Sequence, residues 1–282
     1  MEPHLPRPLS GRGRPGRPAR NPRWQLEGML WLLRSGVPWR CLPARYGPWQ
    51  TVYDRFSRWR RAGVFSRIVS ALQGRLWEAG LIDHTLWCVD GTNVRAARCA
   101  AGARQDTRQG EPHDHGLGRS RGGFGTKLHL VTDGRGTPLA AAVTPGQTHE
   151  SKALRAAMAA ARRRPDGTRR QGAALPQAVA GDRAYSCAWI RTWLRKRGIE
   201  RVIPQRSDQV GRRGGHRRFD PAKYRRRHVI EQCVGWLKEL RRIGTRYEKL
   251  AVNYLAMVGL GFVVRYLRLL CPQRTRPAAT HA

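Results

Sequence analysis

The sequence predicts an α/β fold: a mixed sheet flanked by helices, preceded by a small all-α domain of helix-turn-helix type. Three observations lead there. Residues 21–79 carry only helical patterns. Residues 86–204 alternate strand-length apolar runs with helical segments and include a hairpin signature. Residues 223–242 then place Val229, Ile230, Val234, Leu237 and Leu240 at helical spacing.

The helical part begins at Asn21-Pro22, an N-cap residue followed by Pro in the first turn, and continues through Trp24, Leu26, Met29, Leu30, Leu32 and Leu33 until Ser35-Gly36-Val37-Pro38 ends it. After two short turns, residues 51–62 form a second helix with Val52, Phe56 and Trp59 inward and Arg55, Arg58, Arg60 and Arg61 outward. Residues 65–79 form a third. Three short helices with a basic member fit a helix-turn-helix module or a plain helical subdomain. Residues 1–20 are rich in Pro, Gly and Arg and read as a disordered basic arm, solvated or lying along a phosphate backbone.

The strand-bearing part opens with Leu86-Trp87-Cys88-Val89-Asp90-Gly91-Thr92, a short apolar strand ending in an acid, or an Asp-Gly turn. Residues 96–121 are polar and unpatterned and read as a loop; His113, Asp114 and His115 lie in it as solvated groups or a metal site. Residues 127–132 and 138–144 bracket a Gly-containing turn, a hairpin signal. A helix at 151–164 leads to Ala178-Val179-Ala180-Gly181-Asp182, again a short strand terminating in an acid. A helix at 188–197, a strand at 201–204 and a basic loop at 207–219 precede the helix at 223–242. The run 254–264 is too short to cross a bilayer and reads as a buried helix. The expected division is 1–20 arm, 21–82 helical domain, 83–272 sheet domain and 273–282 tail.

Composition narrows function. The 282 residues carry a formal net charge of +35, which calls for a polyanionic partner, most simply nucleic acid. The six cysteines show no C-x-x-C pairing, so reduced thiols, some of them core residues, fit better than a disulfide framework. The first residues lack an apolar signal segment, and a cytoplasmic location with no membrane association is the expectation. With only 19 acids, each carboxylate in an apolar setting needs a reason.

On a continuous helix over 223–242, Tyr224, Arg227, Glu231 and Lys238 fall within an arc of roughly 60°. The row suits phosphodiester chemistry: a carboxylate to help hold a hard cation, and a guanidinium and an ammonium to bind phosphates. Solvated or mutually paired charges are the alternative. In open α/β sheets reactive sites form at strand ends, where Asp90 and Asp182 can meet if their strands are neighbours, with Glu231 reaching them from a covering helix. Three close carboxylates repel unless cations neutralise them. Two Mg²⁺ or Mn²⁺ ions roughly 3.5–4 Å apart would do so and supply catalysis. The inferred arrangement resembles ribonuclease H.

These residues also carry a family resemblance. The spacing Tyr224-x2-Arg227-x3-Glu231-x6-Lys238 is similar to the signature around the catalytic glutamate in DDE transposases of the insertion sequence 4 superfamily, in particular the insertion sequence 5 group. Val89-Asp90-Gly91-Thr92 and Ala180-Gly181-Asp182-Arg183-Ala184-Tyr185 look like its two aspartate segments, and Gly123-Phe124-Gly125-Thr126-Lys127-Leu128-His129 like its second strand. Residues 33–43 and 49–53 look like its DNA-binding domain. Two departures stand out: the chain begins almost at Pro3 where relatives have a further helical segment, and the large β-rich insertion found before the Glu helix in some relatives is absent. The resemblance implies Asp90, Asp182 and Glu231 as catalytic metal ligands, with Arg227 and Lys238 on DNA phosphates and Tyr224 supporting them. It further implies double-stranded DNA, both transposon ends and target, as substrate, and a homodimer to pair two ends. A nuclease of the same fold without strand transfer, or an inactive or domesticated DNA-binding protein, remain as alternatives.

Overall fold

The structure is a computed structural model that describes residue 5 and residues 21–103, 110–162, 175–209 and 219–272. The expected basic arm (apart from Leu5), most of the 207–219 loop and the tail from 273 lie outside the described residues.

Three helices open the fold: α1 (Pro22–Ser35), α2 (Trp49–Arg61) and α3 (Val64–Glu78). The Asn21 side chain accepts from the Arg23 amide at 2.9 Å, so the first turn is capped as its sequence indicated. At the other end of α1, Gly36 adopts φ 71° and returns its N–H to the Leu32 carbonyl. A Cβ at Gly36 would lie 2.7 Å from Arg241 Cβ, so glycine serves both the left-handed cap and a close approach. The inward faces (Met29, Leu32 and Leu33; Val52, Phe56 and Trp59; Ile68, Leu72 and Leu76) are buried. Each such side chain contributes about 1.5–3 kcal/mol relative to exposure.

The sheet contains β1 (Leu86–Ala96), β2 (Gly118–Ser120), β3 (Gly123–Asp133), β4 (Pro138–Pro145), β5 (Ala178–Ala180), β6 (Glu200–Val202) and β7 (Thr245–Arg246). Its order is β2-β3-β1-β5-β6, with β4 also on β3 and β7 also on β1. β3 is antiparallel to β1 and β4, whereas β5 and β6 run parallel to β1. An antiparallel meander extended on the β1 side by parallel strands is the ribonuclease H-like arrangement, as the element order suggested.

Among the described residues, further helices dress the sheet: α4 (Leu154–Arg162), α5 (Ala188–Arg195), α6 (Pro221–Arg225), α7 (His228–Glu239), α8 (Arg241–Gly244) and α9 (Ala251–Leu270). α7 packs on β1 and β3, α4 on β3 and β4, and α9 lies along α3 and against β4. Side chains alternate faces along β1. Cys88 feels the charges of Arg226 and Arg227, which marks its face as the α7 side. Gly91, of opposite parity, sits against Glu150 at the start of the α4 segment. One hydrophobic cluster runs without a break from Leu26 in α1 through the sheet to Tyr266 in α9.

Several expectations change. The helix over 223–242 is three pieces. Asp220 caps α6 by accepting from Ala222 and Lys223, the backbone tightens at Arg226 and Arg227, and Leu240, with ψ 94°, separates α7 from α8. The first break is a tightening rather than a change of direction: Arg226 and Arg227 keep right-handed helical dihedrals while the amides of Arg226, Arg227, Val229 and Ile230 bond three residues back instead of four, and from this turn Arg226 pairs with Asp83 at 2.7 Å and Arg227 with Asp90 at 2.9 Å. β1 is 11 residues long, so Asp90 lies within a strand, neither at its end nor in an Asp-Gly turn. The stretch 96–121 is not all loop; its described part holds a 3-10 turn at Arg98–Ala101 and β2. It is anchored by Arg246, which is fully buried and donates to the carbonyls of His115, Gly116, Glu248 and Lys249. His115 pairs with Glu111 at 2.7 Å, and Glu111 also accepts from the first amides of α9. The apolar run at 254–264 belongs to a 20-residue helix that is long and apolar enough to span a membrane, yet 61% of its apolar window is buried inside the protein. All six cysteines are free; Cys88 and Cys233 are buried, and burial pushes both thiols up to about 12.

Candidate active site

β5 pairs with β1 only through Leu86–Cys88, and its chain turns away at Gly181. β7 takes up the same edge of β1 only at Arg95 and Ala96. Between them, from Val89 to Val94, that edge has no strand partner among the described residues, and the sheet carries a notch. Asp90 stands at the floor of this notch and Asp182 at its lip. Asp182 accepts from the Ala184 amide at 2.9 Å and so caps the 3-10 turn at Arg183–Tyr185, which fixes its carboxylate at the strand end.

A third carboxylate reaches the same place. Because β4 is antiparallel to β3, which is antiparallel to β1, β4 delivers its carboxyl end to the end of the sheet where Asp182 emerges. The chain then turns through Glu150. Glu150 lies directly over Gly91: a Cβ on that glycine would be 2.7 Å from Glu150 Cγ and 2.9 Å from its Cδ. The missing side chain at Gly91 therefore admits Glu150 to the site. Lys127, next to Glu150 at 3.6 Å, is its nearest cation. Sequence reasoning passed over Glu150. The signal that could have found it is strand parity, since the second strand of the hairpin had to end beside the two aspartates.

The electrostatics follow from crowding. Burial raises the Asp90 carboxyl above its usual range; Arg227 opposes the rise and the charge of Asp182 adds to it. Burial likewise raises Glu150, with Asp182 and Asp90 contributing and Lys127 opposing. The buried Tyr185 hydroxyl is pushed well up by burial and then by Glu150, Asp90 and Asp182 together. Burial first, and then the neighbouring carboxylates, thus raise Asp90 and Glu150 against the opposition of Arg227 and Lys127.

Glu231 approaches from α7, 59% exposed at its side chain, and does not touch the aspartates directly. Arg227 stands between: Nη2 donates to Asp90 Oδ1 at 2.9 Å and Nη1 to Glu231 Oε1 at 2.6 Å. Lys238 reaches the strand farther along the notch, donating to the Asn93 carbonyl at 3.3 Å. Tyr224, on α6, packs its ring against Phe219 at 5.3 Å, near enough to Arg227 for its charge to act there. The four residues of the expected row thus face one region, although a break in the helix separates Tyr224 and Arg227 from Glu231 and Lys238.

As donors for a divalent ion the carboxylates of Asp90, Asp182 and Glu150 fit by chemistry: hard oxygens near enough for the charge of one to act on another. They are not drawn into a finished ligand set. Among the described residues no group of three or more His, Cys, Asp or Glu is close enough to hold an ion, and Arg227 fills the space between Asp90 and Glu231.

Residues 81–267 match the family described as Transposase DDE domain. The chain belongs to the DDE transposases. Its first part, residues 1–69, matches a family of putative transposases of the IS4/5 type, so both halves of this DDE transposase carry the same assignment. Among curated relatives, a putative transposase for insertion sequence element IS402 from Burkholderia cepacia is 36% identical over 139 residues, 49% of this chain and 60% of that protein. An uncharacterised 16.2 kDa protein of the IS402 insertion element from the same organism is 36% identical over 115 residues, 40% of this chain and 76% of that one. Solved structures similar to this transposase include a Mos1 strand transfer complex, at 13% identity and a TM-score of 0.28 over 94% of this chain and 81% of that one. The fold assignment rests on the strand order and the family match, not on that remote likeness.

Proposed function

We propose that this transposase cleaves DNA at the ends of its insertion sequence and joins the freed 3′-hydroxyls to target DNA, with Asp90, Asp182 and Glu231 as its catalytic acids. The supporting observation is the notch beside β1, where the charge of Asp182 acts on Asp90 and Arg227 ties Asp90 to Glu231 on α7. Asp90, Asp182 and, after release from Arg227, Glu231 would hold divalent ions, with Glu150 close by as a further oxygen donor. Two bound Mg²⁺ or Mn²⁺ ions supply activation of the attacking oxygen and stabilisation of the leaving one. The protein's own part is placement. Asp182 is locked by its cap, Asp90 by the sheet, and Tyr185 beneath them excludes water. Arg227 and Lys238 bind the phosphates that flank the scissile bond, and Tyr224 supports Arg227.

In this reading residues 21–82 recognise the terminal repeats and residues 83–272 carry the chemistry. Double-stranded DNA is the substrate, a homodimer pairs two ends, and the protein works on bacterial DNA in the cytoplasm. The test is cleavage of a labelled duplex carrying the element's end, in Mg²⁺. Asp90→Asn should lose cleavage by more than about 100-fold while binding the duplex within a few-fold of the parent. A pre-cut end separates transposase from plain nuclease, because only the former joins it to a second duplex. Cleavage that persists in Asp90→Asn, or in excess chelator, defeats the proposal.

A further inference from the structure

Beyond the carboxylate notch, we propose that the groove between α4 and α5 binds unpaired nucleotides of the DNA substrate and leads one strand away from the notch. This rests on the nucleic-acid reading above and adds a site to it. The groove encloses about 740 Å³. Arg155 and Arg162 line it from α4, Trp189 and Trp193 from α5, and Lys196 and Arg197 from the turn that follows; no carboxylate appears among its described lining residues. Arg155, Lys196 and Arg197, with no carboxylate among the described lining residues, favour an anion and disfavour a second copy of this basic chain.

The indoles say which kind of anion. Both are half-buried, and each carries a guanidinium over its ring, Arg155 at 4.8 Å from the Trp189 centroid and Arg197 at 4.3 Å from that of Trp193, which an incoming base would displace or stack upon. A flat apolar face next to a cation matches a nucleotide, whose base stacks while its phosphate pairs. In a duplex the base faces are already covered by one another, so only unpaired bases can use these rings. Trp189 and Trp193 are four residues apart on one helix face, about 5–6 Å between Cβ atoms, which places two successive bases side by side.

The position of the groove gives it a role. α4 starts at Leu154, just after Glu150, and α5 at Ala188, just after the turn capped by Asp182. Arg155 and Trp189 therefore lie at the end nearest the notch, and Arg162, Trp193 and Arg197 farther along. A strand opened at the notch can run down the groove from one pair to the next.

The experiment measures binding of the full chain in EDTA by fluorescence anisotropy, using a blunt duplex and the same duplex with a six-nucleotide oligo(dT) tail. The tailed probe should bind at least about 5-fold tighter. Trp193→Ala should remove that increment and leave blunt binding within twofold, Trp193→Phe should keep it, and Arg197→Gln should lower the salt slope for the tailed probe by about one. Blunt binding with no tail increment, or equal losses on both probes in Trp193→Ala, overturns the groove and leaves the function standing. Failure of the parent chain to bind either probe overturns both.

Discussion

Arg227 joins Asp90 to Glu231, and its removal should expose how much of the site's balance it carries. Consider Arg227→Gln, studied without metal or DNA. The bond to Glu231 is worth little, because that carboxylate is more than half exposed and water screens it. The bond to Asp90 is different: the two side chains are 11% and 17% exposed. Two unit charges 4 Å apart interact by about 4 kcal/mol at an effective dielectric of 20, and removing one partner of a buried pair costs about 3–5 kcal/mol. Relief from desolvating the guanidinium offsets part of this, so we expect a loss of about 2–3 kcal/mol at pH 7.5, a fall in Tm of about 4–10 °C. The sign of the pH dependence follows from Asp90. Its folded carboxyl is already raised by burial, so the folded state holds the proton more tightly than the unfolded one, and stability falls as pH rises through that window. Without Arg227 the opposing influence is gone and the window extends upward. The deficit should therefore be largest at pH 7.5 and should shrink as pH falls, because protonation of Asp90 removes the charge that Arg227 pairs with. The assay is thermal unfolding followed by circular dichroism in EDTA at several pH values, with Asp90→Asn/Arg227→Gln as control. A deficit that does not change with pH, or that survives unchanged in the double variant, would refute the pairing.

Two other predictions rest on single contacts. Gly91→Ala puts a methyl where Glu150 now lies, so it should destabilise by about 1–3 kcal/mol, and Gly91→Ala/Glu150→Ala should recover most of the loss; chemical denaturation of the two variants checks this. Glu248→Gln leaves the buried Arg242 guanidinium without its 2.6 Å charge partner and should cost about 3–5 kcal/mol, whereas Glu248→Gln/Arg242→Met should cost less than the single change, as a double-mutant cycle would record.

Much of this molecule is written in local pattern. The Asn21-Pro22 start of α1, the inward positions of α2, the hairpin of β3 and β4 and the strand ending before Asp182 all follow from residues within a turn or two of one another. Local hydrogen bonding and side-chain periodicity are sufficient to place them. The signature residues near Glu231 were legible for the same reason, because their spacing is a property of one segment. Reading that segment as a single helix failed at Arg226 and Arg227, where the backbone tightens to three-residue hydrogen bonds, and at Leu240, where it leaves the helical region, neither of which the apolar spacing marks.

The sequence by itself determined which side chains are available: scarce acids set in apolar strands, a basic surplus suited to a polyanion, and helical and extended segments in ribonuclease H-like order. Only the tertiary structure decided how those groups meet. The early departure of β5 opens a notch beside Asp90, Gly91 makes room for Glu150, and Arg227 occupies the space between Asp90 and Glu231. Each of these depends on through-space distance between segments tens of residues apart. Such distances arise from strand register and packing, for which no short window of sequence carries a pattern.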